Sequence, residues 1–446
     1  MGTEAREEDV QVALKFVTDL PPEFRVPETP VAVPGVVKRY GLSQIINHLL
    51  GLEIARPFDF LIDGELLRKS IQEHLADHSL SMESVIEVQY LPIVAPPKTK
   101  NQALHDDWVS ALDGSWAGGV LSGSHDGIVR GWNGSLDSLW SLAAHSGPVT
   151  SVVSVPTNQG SFMLTSSRDG TIKLWEIAEG AGGPATLVAT CKGDNGGVES
   201  VAVAPSGKRW ISGGREGVPK MWASGKKVVE QPSDDQPGKK NAASDRRKDG
   251  GSATRKRKSG ALDNGVDEEV VIEEPLARFT GHTQTVSSVA WPSEDTIVTA
   301  GWDHSVRRWD AETGANMDTF SGSKVVCDAS PAPGGAGLIA FGGADPVLRT
   351  WDPRSRSGEA IAVRRHASHA GWIVSVKWSP YSQHHVVTGS YDHSLKLWDV
   401  RGAVPLGTVS SHSDKVLAVD WEGEGGMVSG GADCMVMAHA CGGHLV

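Results

Sequence analysis

The sequence predicts a mainly β protein, in which a seven-bladed β-propeller follows a small α+β domain. Three observations predict this fold. A phrase of about twelve residues that ends near a tryptophan recurs along most of the 446-residue chain. Glycine and tryptophan are abundant, with 52 and 15 residues, as expected where tight turns surround large buried rings. The first hundred or so residues lack the repeat and mix short alternating apolar runs with helical patterns.

The repeated phrase is clearest at residues 388–399, TGSYDHSLKLWD. The tryptophans of neighbouring copies lie 42 to 47 residues apart, except for one gap of 87 residues that holds a repeat and an insert. This period is typical of propeller blades with four strands each. The count is seven, because a last copy begins at Ser429 and six others end, in chain order, at Trp132, Trp175, Trp222, Trp309, Trp351 and Trp398.

An acidic residue stands six positions before each tryptophan, and a histidine precedes most copies by 27 to 30 residues. Aspartate suits a tight turn between strands, because its carboxylate bonds local backbone N–H groups. The pattern resembles the WD-repeat family, in which four residues bond in series across a blade. The resemblance implies four such sets, namely His105–Ser122–Asp126–Trp132, His145–Thr165–Asp169–Trp175, His282–Thr299–Asp303–Trp309 and His369–Thr388–Asp392–Trp398.

A histidine, an acid and a hydroxyl also invite the hypothesis of a serine-type catalytic triad. The repetition favours a structural network, because a catalytic site is not copied in blade after blade. Blades three and five depart from the pattern: the third has Glu216 and no matching histidine, and the fifth has Phe341 at the hydroxyl position. We expect these two blades to be tied less tightly.

The last blade needs a strand from elsewhere, because seven residues remain after His439, which occupies the tryptophan position. The stretch 98–104 could supply it, and we predict that it completes the blade. The predicted domains are therefore 1–97 and 98–446, the latter with an insert at 223–274.

The front domain is predicted to be ubiquitin-like. Strand patterns cover residues 10–16, 30–34, 58–62 and 85–90, and helical patterns cover 43–51 and 71–76. Ser43 is a candidate N-cap of the first helix, and Gly51 is a candidate C-cap.

Three phrases carry a more specific resemblance: residues 38–43, 58–68 and 105–110 resemble a Notchless-like domain joined to a WD propeller. The combination is similar to the family of WD-repeat subunits of the PeBoW complex. The resemblance implies a non-catalytic assembly factor of the large (60S) ribosomal subunit, required for rRNA processing and pre-ribosome maturation. It implies a place in the nucleus, nucleolus and nucleoplasm, with the pescadillo and block-of-proliferation proteins and the ATPase midasin as partners.

In that family, a glutamate of the ubiquitin-like domain completes the coordination of a metal ion held by midasin, which then releases the factor. The matching position is Glu83, just before the last strand of the domain. An open position on Mg²⁺ favours an oxygen ligand from a partner. Asp77 and Glu87 are nearby alternatives, and an ordinary solvated acid is the simpler interpretation of the residues alone.

The insert at 223–274 is rich in glycine, serine and charge and poor in large apolar residues, so we predict a disordered loop. A flexible basic loop suits importin or a phosphate backbone, so we expect nuclear import and consider contact with pre-rRNA, although a solvated charge run is the simpler alternative. The basic residues are Arg246, Arg247, Lys248, Arg255, Lys256, Arg257 and Lys258.

Other functions are disfavoured. The net charge of −12 argues against nucleic-acid binding by the whole surface, and four scattered cysteines suggest reduced thiols. We expect no signal peptide, membrane span, enzymatic activity or cofactor, and no metal bound by this chain alone. We expect no zinc at Cys434, His439, Cys441 and His444, whose spacing differs from that of a common zinc finger. The alternative function is a substrate receptor of a ubiquitin ligase, although no cullin-adaptor helix is visible.

Overall fold

The computed structural model describes residues 10–52, 54–78, 81–82, 84–156, 161–178, 185–223, 270–334, 337–354, 363–423 and 425–441. In these ranges no helix is long and apolar enough to cross a membrane.

The front domain is a mixed five-stranded sheet with two helices. Its strands follow the order β2-β1-β5-β3-β4, with β1 and β5 parallel, which is the arrangement of ubiquitin-like folds. The predicted α+β class is therefore confirmed. The elements, besides a 3-10 turn at Pro22–Phe24, are β1 (Gln11–Val17), β2 (Val31–Pro34), α1 (Arg39–Leu50), β3 (Phe58–Ile62), β4 (Glu65–Leu66), α2 (Ile71–Asp77) and β5 (Ile86–Pro92).

Alternation in β1 and β5 sends one set of side chains into the core of this domain. Phe16, Phe60 and Tyr90 are almost completely buried there, with edge-to-face contacts between their rings. The buried Tyr90 hydroxyl donates to the Phe24 carbonyl (2.6 Å) and accepts from the Val26 amide (3.0 Å). Burial of its polar end is thereby compensated.

The first helix begins four residues before the predicted position. Ser43 is not the N-cap, because α1 starts at Arg39 and places Ser43 inside the helix. Its buried hydroxyl accepts from the Phe58 amide (3.1 Å) and donates to the Arg56 carbonyl (3.3 Å), so it fastens the helix to the start of β3. The predicted end is correct, with Gly51 in the left-handed region at φ 62°.

The described part of the propeller forms seven sheets, each with four antiparallel strands, and the first strands of all seven line one central channel. The predicted propeller is confirmed. Blades one to four consist of β7 (Val109–Asp113), β8 (Val120–Ser124), β9 (Ile128–Trp132) and β10 (Ser138–Ala143); β11 (Val149–Val155), β12 (Ser161–Ser167), β13 (Thr171–Ile177) and β14 (Thr186–Lys192); β15 (Val198–Val203), β16 (Arg209–Gly214), β17 (Lys220–Ala223) and β19 (Ala277–Arg278); β20 (Val286–Ser293), β21 (Thr296–Gly301), β22 (Ser305–Asp310) and β23 (Asn316–Ser321).

The remaining blades close the ring. They consist of β24 (Val326–Pro331), β25 (Ile339–Gly343), β26 (Val347–Trp351) and β27 (Val363–Ala367); β28 (Ile373–Trp378), β29 (His385–Ser390), β30 (Leu395–Asp399) and β31 (Gly407–Val409); β32 (Val416–Glu422), β33 (Gly426–Gly431), β34 (Met435–Ala440) and β6 (Lys98–Leu104). The prediction that residues 98–104 complete the last blade is confirmed, because β6 pairs antiparallel with β34.

Blades pack through valines that approach glycines of the neighbouring blade. A Cβ atom added at Gly430 in blade seven would lie 2.5 Å from Cγ1 of Val109 in blade one. Val109 is fully buried, which contributes about 2 kcal/mol for a side chain of this size. The same contact recurs at Gly123, which faces Val149 of the next blade. Repeated close approach of this kind accounts for part of the high glycine content.

The end of the predicted insert is not a loop. Val270–Ile272 forms β18, a fifth strand that pairs in parallel with β14 of blade two. Lys192 and Glu273 form an ion pair (2.6 Å) beside it. Val270–Ile272 is an apolar segment at the end of an otherwise polar insert. It pairs with the outer strand of blade two, whose edge would otherwise have unpaired backbone groups, so this segment forms a strand where we predicted a loop.

The front domain lies against the outer parts of blades five and six. The Leu66 amide donates to the Arg401 carbonyl (3.3 Å), and Glu65 pairs with Arg364 (3.5 Å). A Cβ atom at Gly402 would lie 3.0 Å from Leu66, so the two surfaces approach closely. Val94, in the connection, packs against the hydrophobic core shared by blades six and seven.

Candidate functional site

Three blades contain the complete predicted network. In blade six, the Trp398 indole donates to Thr388 Oγ1 (2.9 Å), which lies 2.7 Å from His369 Nε2. His369 Nδ1 lies 2.8 Å from Asp392. The tautomer that satisfies every atom has Nδ1–H donating to the carboxylate and the threonine O–H donating to Nε2. Blades two and four have the same arrangement around His145 and His282.

The electrostatics of these networks keep the acid ionised. Burial raises the pKa of Asp392, but hydrogen bonds from Ser394, the Ala370 amide and His369 lower it to about 2. Burial lowers the pKa of His369, so the imidazole is neutral at physiological pH. The Thr388 hydroxyl is fully buried, so no substrate reaches it. The hydrogen bonds of this network therefore hold the strands of the blade together, and the hydroxyl in it is not accessible as a nucleophile.

Blade one departs from the predicted order of bonds. His105 Nε2 lies 2.8 Å from Ser122 Oγ, which also accepts from the Trp132 indole (2.6 Å). Blades two, four and six have a direct histidine–aspartate bond, but in blade one Arg130 stands between His105 and Asp126 and donates to His105 Nδ1. Nε2–H must then donate to the serine, which is the opposite tautomer from the other blades. Burial, followed by the Arg130 charge, lowers the pKa of His105 to about 4.

In blade three, Asp194 takes the place of the missing histidine, because its amide bonds the Gly170 carbonyl as the His145 amide bonds the Gly127 carbonyl in the turn before it. The buried Lys220 ammonium donates to the Gly193 carbonyl (2.6 Å) and to Glu216 (2.8 Å). The Glu216 amide donates to Asp194 (2.8 Å), and the Trp222 indole still donates to Ser212. Lys220 lowers the pKa of Glu216, whereas burial raises the pKa of Asp194.

Blade five has an apolar centre. Phe341 occupies the hydroxyl position and packs against Phe320, with ring centroids 4.9 Å apart. Asp345 forms two hydrogen bonds with Arg349 (2.8 and 2.6 Å) in place of a bond to histidine. A cavity of about 180 Å³ remains beside these residues.

Blade seven keeps the network with a second histidine in the tryptophan position. His439 Nε2 lies 2.7 Å from Ser429 Oγ, which lies 2.7 Å from His412 Nε2. His412 Nδ1 contacts Asp433 at 2.9 Å. Thr99 Oγ1 of the closing strand lies 3.1 Å from His439 Nδ1, so the network extends to β6.

Sequence reasoning missed a basic residue two positions before each tryptophan. The lysines at this position donate to backbone carbonyls of the preceding loop: Lys173 to Ala144, Lys220 to Gly193 and Lys396 to Ser368. The regular spacing to the tryptophan was the signal that could have identified them. The full set, in chain order, is Arg130, Lys173, Lys220, Arg307, Arg349 and Lys396.

One end of the central channel carries exposed aromatic rings. Trp108, Trp302, Trp372 and Tyr391 are 38% to 49% exposed, whereas the network tryptophans are buried. Trp372 and Tyr391 stack with 5° between their planes. The Lys415 ammonium lies 5.3 Å from the centre of the Tyr391 ring. Exposed large rings grouped beside cations are typical of a binding surface for partners.

Charged groups inside the ring link neighbouring blades. Asp113 accepts from the Ser154 amide, Asp328 from the Val376 amide (2.8 Å), and Asp420 from the Gly114 amide (2.9 Å). Lys377 lines the channel among them, and although burial lowers its pKa, the three carboxylates raise it overall. Burial raises the pKa of Asp420 to about 6.

Glu83 lies outside the described residues, but its neighbours are described. Met82 and Val85 are 41% and 53% exposed. Asp77 is engaged by Lys69 (2.6 Å), whose ammonium lowers the pKa of Asp77. Glu87 is an exposed residue of β5. Exposed apolar side chains therefore border the predicted partner-binding position.

The seven predicted nuclear-import residues, at 246–248 and 255–258, also lie outside the described residues. So does His444. Among the residues with described positions, no group of three or more histidines, cysteines or acids could hold a metal ion. Cys434 is in the turn before β34, and His439, near the other end of that strand, is already bonded within the blade network.

Comparison with protein families gives matches in both domains. The NLE (NUC135) domain matches residues 12–75. The WD domain, G-beta repeat, matches six segments and skips the fifth blade, whose network is replaced by phenylalanines and an ion pair. The six segments are 99–133, 136–176, 185–223, 273–310, 362–399 and 403–438.

Full-length relatives share this organisation. A ribosome biogenesis protein WDR12 homolog of Chlamydomonas reinhardtii is 47% identical over 96% of this chain and 97% of its own length. The homologs of Oryza sativa subsp. japonica and Arabidopsis thaliana are 38% and 37% identical over 95% and 96% of this chain, and over the same shares of their own lengths. The chain therefore belongs to the WDR12 family, in which an NLE domain precedes a WD-repeat propeller.

Proposed function

We propose that this protein is a non-catalytic assembly factor of the large (60S) ribosomal subunit, required for rRNA processing and pre-ribosome maturation. Relatives that match nearly the whole chain are named ribosome biogenesis proteins. The observation that carries the proposal in this molecule is the exposed aromatic group at the channel mouth, while the hydroxyls of the blade networks are buried. Such a propeller holds partners, and we assign it the pescadillo and block-of-proliferation proteins of a PeBoW-type complex.

The front domain is proposed to present Glu83 to midasin. A carboxylate supplied by a partner can complete the oxygen shell of a metal ion. Exposed Met82 and Val85 on either side would add apolar contact area around that ion. Asp77 is a poorer candidate, because its carboxylate is already paired with Lys69.

Removal by midasin requires that force on the front domain reaches the propeller. The connection supports this role: Val94 packs in the core of blades six and seven, and Pro97 lies against Gly407. The next residues form β6, which is paired along its length with β34. A pull would therefore act on a blade strand and not on a free tether.

The insert is proposed to serve nuclear import through importin, with pre-rRNA contact as a second role. Its two basic clusters at 246–248 and 255–258 support this assignment by charge and spacing. We propose residence in the nucleus, nucleolus and nucleoplasm.

Sedimentation of the tagged protein from cell extract tests the general role. We expect co-migration with large-subunit precursors, together with accumulation of unprocessed rRNA when the protein is depleted. Association with a cullin and absence from these particles would instead support a ubiquitin-ligase receptor and reject the proposal.

The midasin assignment has its own test. Glu83→Ala should abolish binding of the full chain to the metal-site domain of midasin in the presence of Mg²⁺. Glu87→Ala is the matched control on the adjacent strand and should bind normally. Unchanged affinity of Glu83→Ala would reject Glu83 as the ligand.

A further inference from the structure

Two of the sequence segments that resemble the family, 38–43 and 58–68, contribute residues to one cleft between the front domain and the propeller. The cleft has a volume of about 440 Å³. The front domain contributes the start of α1 and the segment around Arg68, and the propeller contributes Pro405 and Leu406 of blade six. The contacts that dock the front domain do not fill this space.

The cleft has more positive than negative charge. Arg39 and Arg68 each donate to the same oxygen of Asp59 (3.0 Å), and Lys38 lies beside them. Three cations therefore face one carboxylate, although residues 1–97 carry a net charge of −7. This surplus is local and opposes the overall charge of its domain.

Donors in the cleft are left without acceptors. The buried Arg68 Nε has no hydrogen-bond partner among the described residues. The first turn of α1 contains no acidic residue, and Lys38 at its N-cap makes no side-chain cap. An unpartnered guanidinium N–H beside a positive helix end is suited to an added anion.

The remaining walls indicate what carries the anion. Leu67, Ile93, Val94 and Leu406 give the cleft an apolar side. A nucleic-acid strand is favoured by an extended basic stripe, whereas this cluster is compact and belongs to an acidic domain. Guanidinium groups already bind a carboxylate here, in Asp59.

We propose that this cleft is a docking site for an acidic peptide segment of a partner protein. A carboxylate of the peptide would bind Arg39, Arg68 and Lys38, and an apolar side chain of the peptide would pack against Leu406. Tyr40, 74% exposed at the rim, adds a ring beside the backbone of the peptide. The residues of this site do not include Glu83, and the proposal does not depend on the proposed role in ribosome assembly.

Fluorescence anisotropy with the full chain tests the site. The probe is a fluorescein-labelled acidic peptide, EDLEELDE, and its neutral counterpart QNLQQLNQ is the reference. We expect salt-sensitive binding of the acidic peptide alone. Lys38→Glu and Arg39→Gln should each weaken it about ten-fold, and Lys324→Glu, an exposed charge reversal on the propeller, should leave it unchanged.

Three results would overturn the proposal. One is equal affinity of the acidic peptide for all variants. The second is tighter binding of a labelled uridine dodecamer with the same dependence on Lys38 and Arg39, which would assign the cleft to RNA. The third is a ten-fold or larger gain in peptide affinity on deletion of residues 1–9, which would make the chain's own acidic N-terminus the occupant. Lys38 makes no side-chain cap on α1 and takes no part in the ion pairs with Asp59, so Lys38→Glu remains informative if Arg39→Gln unfolds.

Discussion

His439 Nε2 lies 2.7 Å from Ser429 Oγ, in the place that a tryptophan indole N–H takes in five other blades. Because Ser429 must donate to His412, it accepts from His439, whose Nε2 therefore carries a proton. The substitution keeps the bond but places a titratable ring, 1% exposed, where the other blades have none.

His439 should make the closure of the propeller sensitive to acid. Burial lowers its pKa to about 4 in the folded protein, from 6.5 in the unfolded chain. The folded state binds fewer protons, so this stability is fully present above pH 6.5 and is lost as the pH falls toward 4. His439→Trp should therefore reduce the stability lost between pH 7 and pH 5 by about 2 kcal/mol.

Urea unfolding of both proteins at the two pH values measures this difference. His48→Gln, at an exposed position of α1, is the control and should keep the pH dependence of the parent. Equal losses for His439→Trp and the parent would show that His439 does not carry the effect.

Thr388→Val should destabilise the propeller by about 2 to 3 kcal/mol. Valine preserves the shape but leaves the Trp398 indole and His369 without their buried partner. Thr350→Val is the control, because Thr350 is 4% exposed but lies in blade five, where Phe341 occupies the hydroxyl position of the network. Thermal unfolding should separate the two variants, and equal melting temperatures would contradict the structural role of the network.

The closing strand should matter more than the front domain for propeller stability. A chain that starts at residue 98 retains β6, whereas one that starts at residue 105 exposes the edge of β34. We expect the shorter chain to melt roughly 10 °C lower. Both truncations lack the front domain, so a melting temperature shared by the two would mean that β6 contributes nothing to closure.

Lys220→Met should cost about 3 kcal/mol, because it removes the cation from buried Asp194 and from Glu216. Lys173→Met is the control in blade two. Lys173 donates to the Ala144 carbonyl (2.7 Å), so we expect a loss of about 1 kcal/mol. Urea unfolding measures the loss of stability in both variants. A larger loss for Lys173→Met than for Lys220→Met would show that Lys220 does not stabilise the acids of blade three.

The repeat and the front-domain pattern were sufficient to predict most of the fold. The spacing of tryptophan, acid and histidine is imposed by one blade, so it could be recognised without knowing how blades meet. The same periodicity identified the departures at Glu216 and Phe341. The periodicity could not show which contacts are made where the usual network residues are missing, because Lys220 and Arg349 bond groups whose positions depend on the neighbouring strands.

The predicted start of α1 was wrong, again because a contact outside the local sequence decided the outcome. Ser43 has the residue type of an N-cap, and local sequence favours that role. In the structure, its hydroxyl bonds Arg56 and Phe58, which follow in the chain but are brought beside it by the sheet. A tertiary partner thus decided the role of a residue whose local preference suggested another.

The sequence by itself determined the seven-bladed propeller, the ubiquitin-like front and the need for a closing strand, because each follows from periodicity and chain length. Only the tertiary structure decided that Arg130 separates His105 from Asp126, and that β18 joins blade two. It also brought Lys38, Arg39 and Arg68 against Leu406 of blade six. The first two contacts depend on how strands and loops meet within a blade, and the third depends on how the front domain packs against the propeller, so no local sequence pattern specifies any of them.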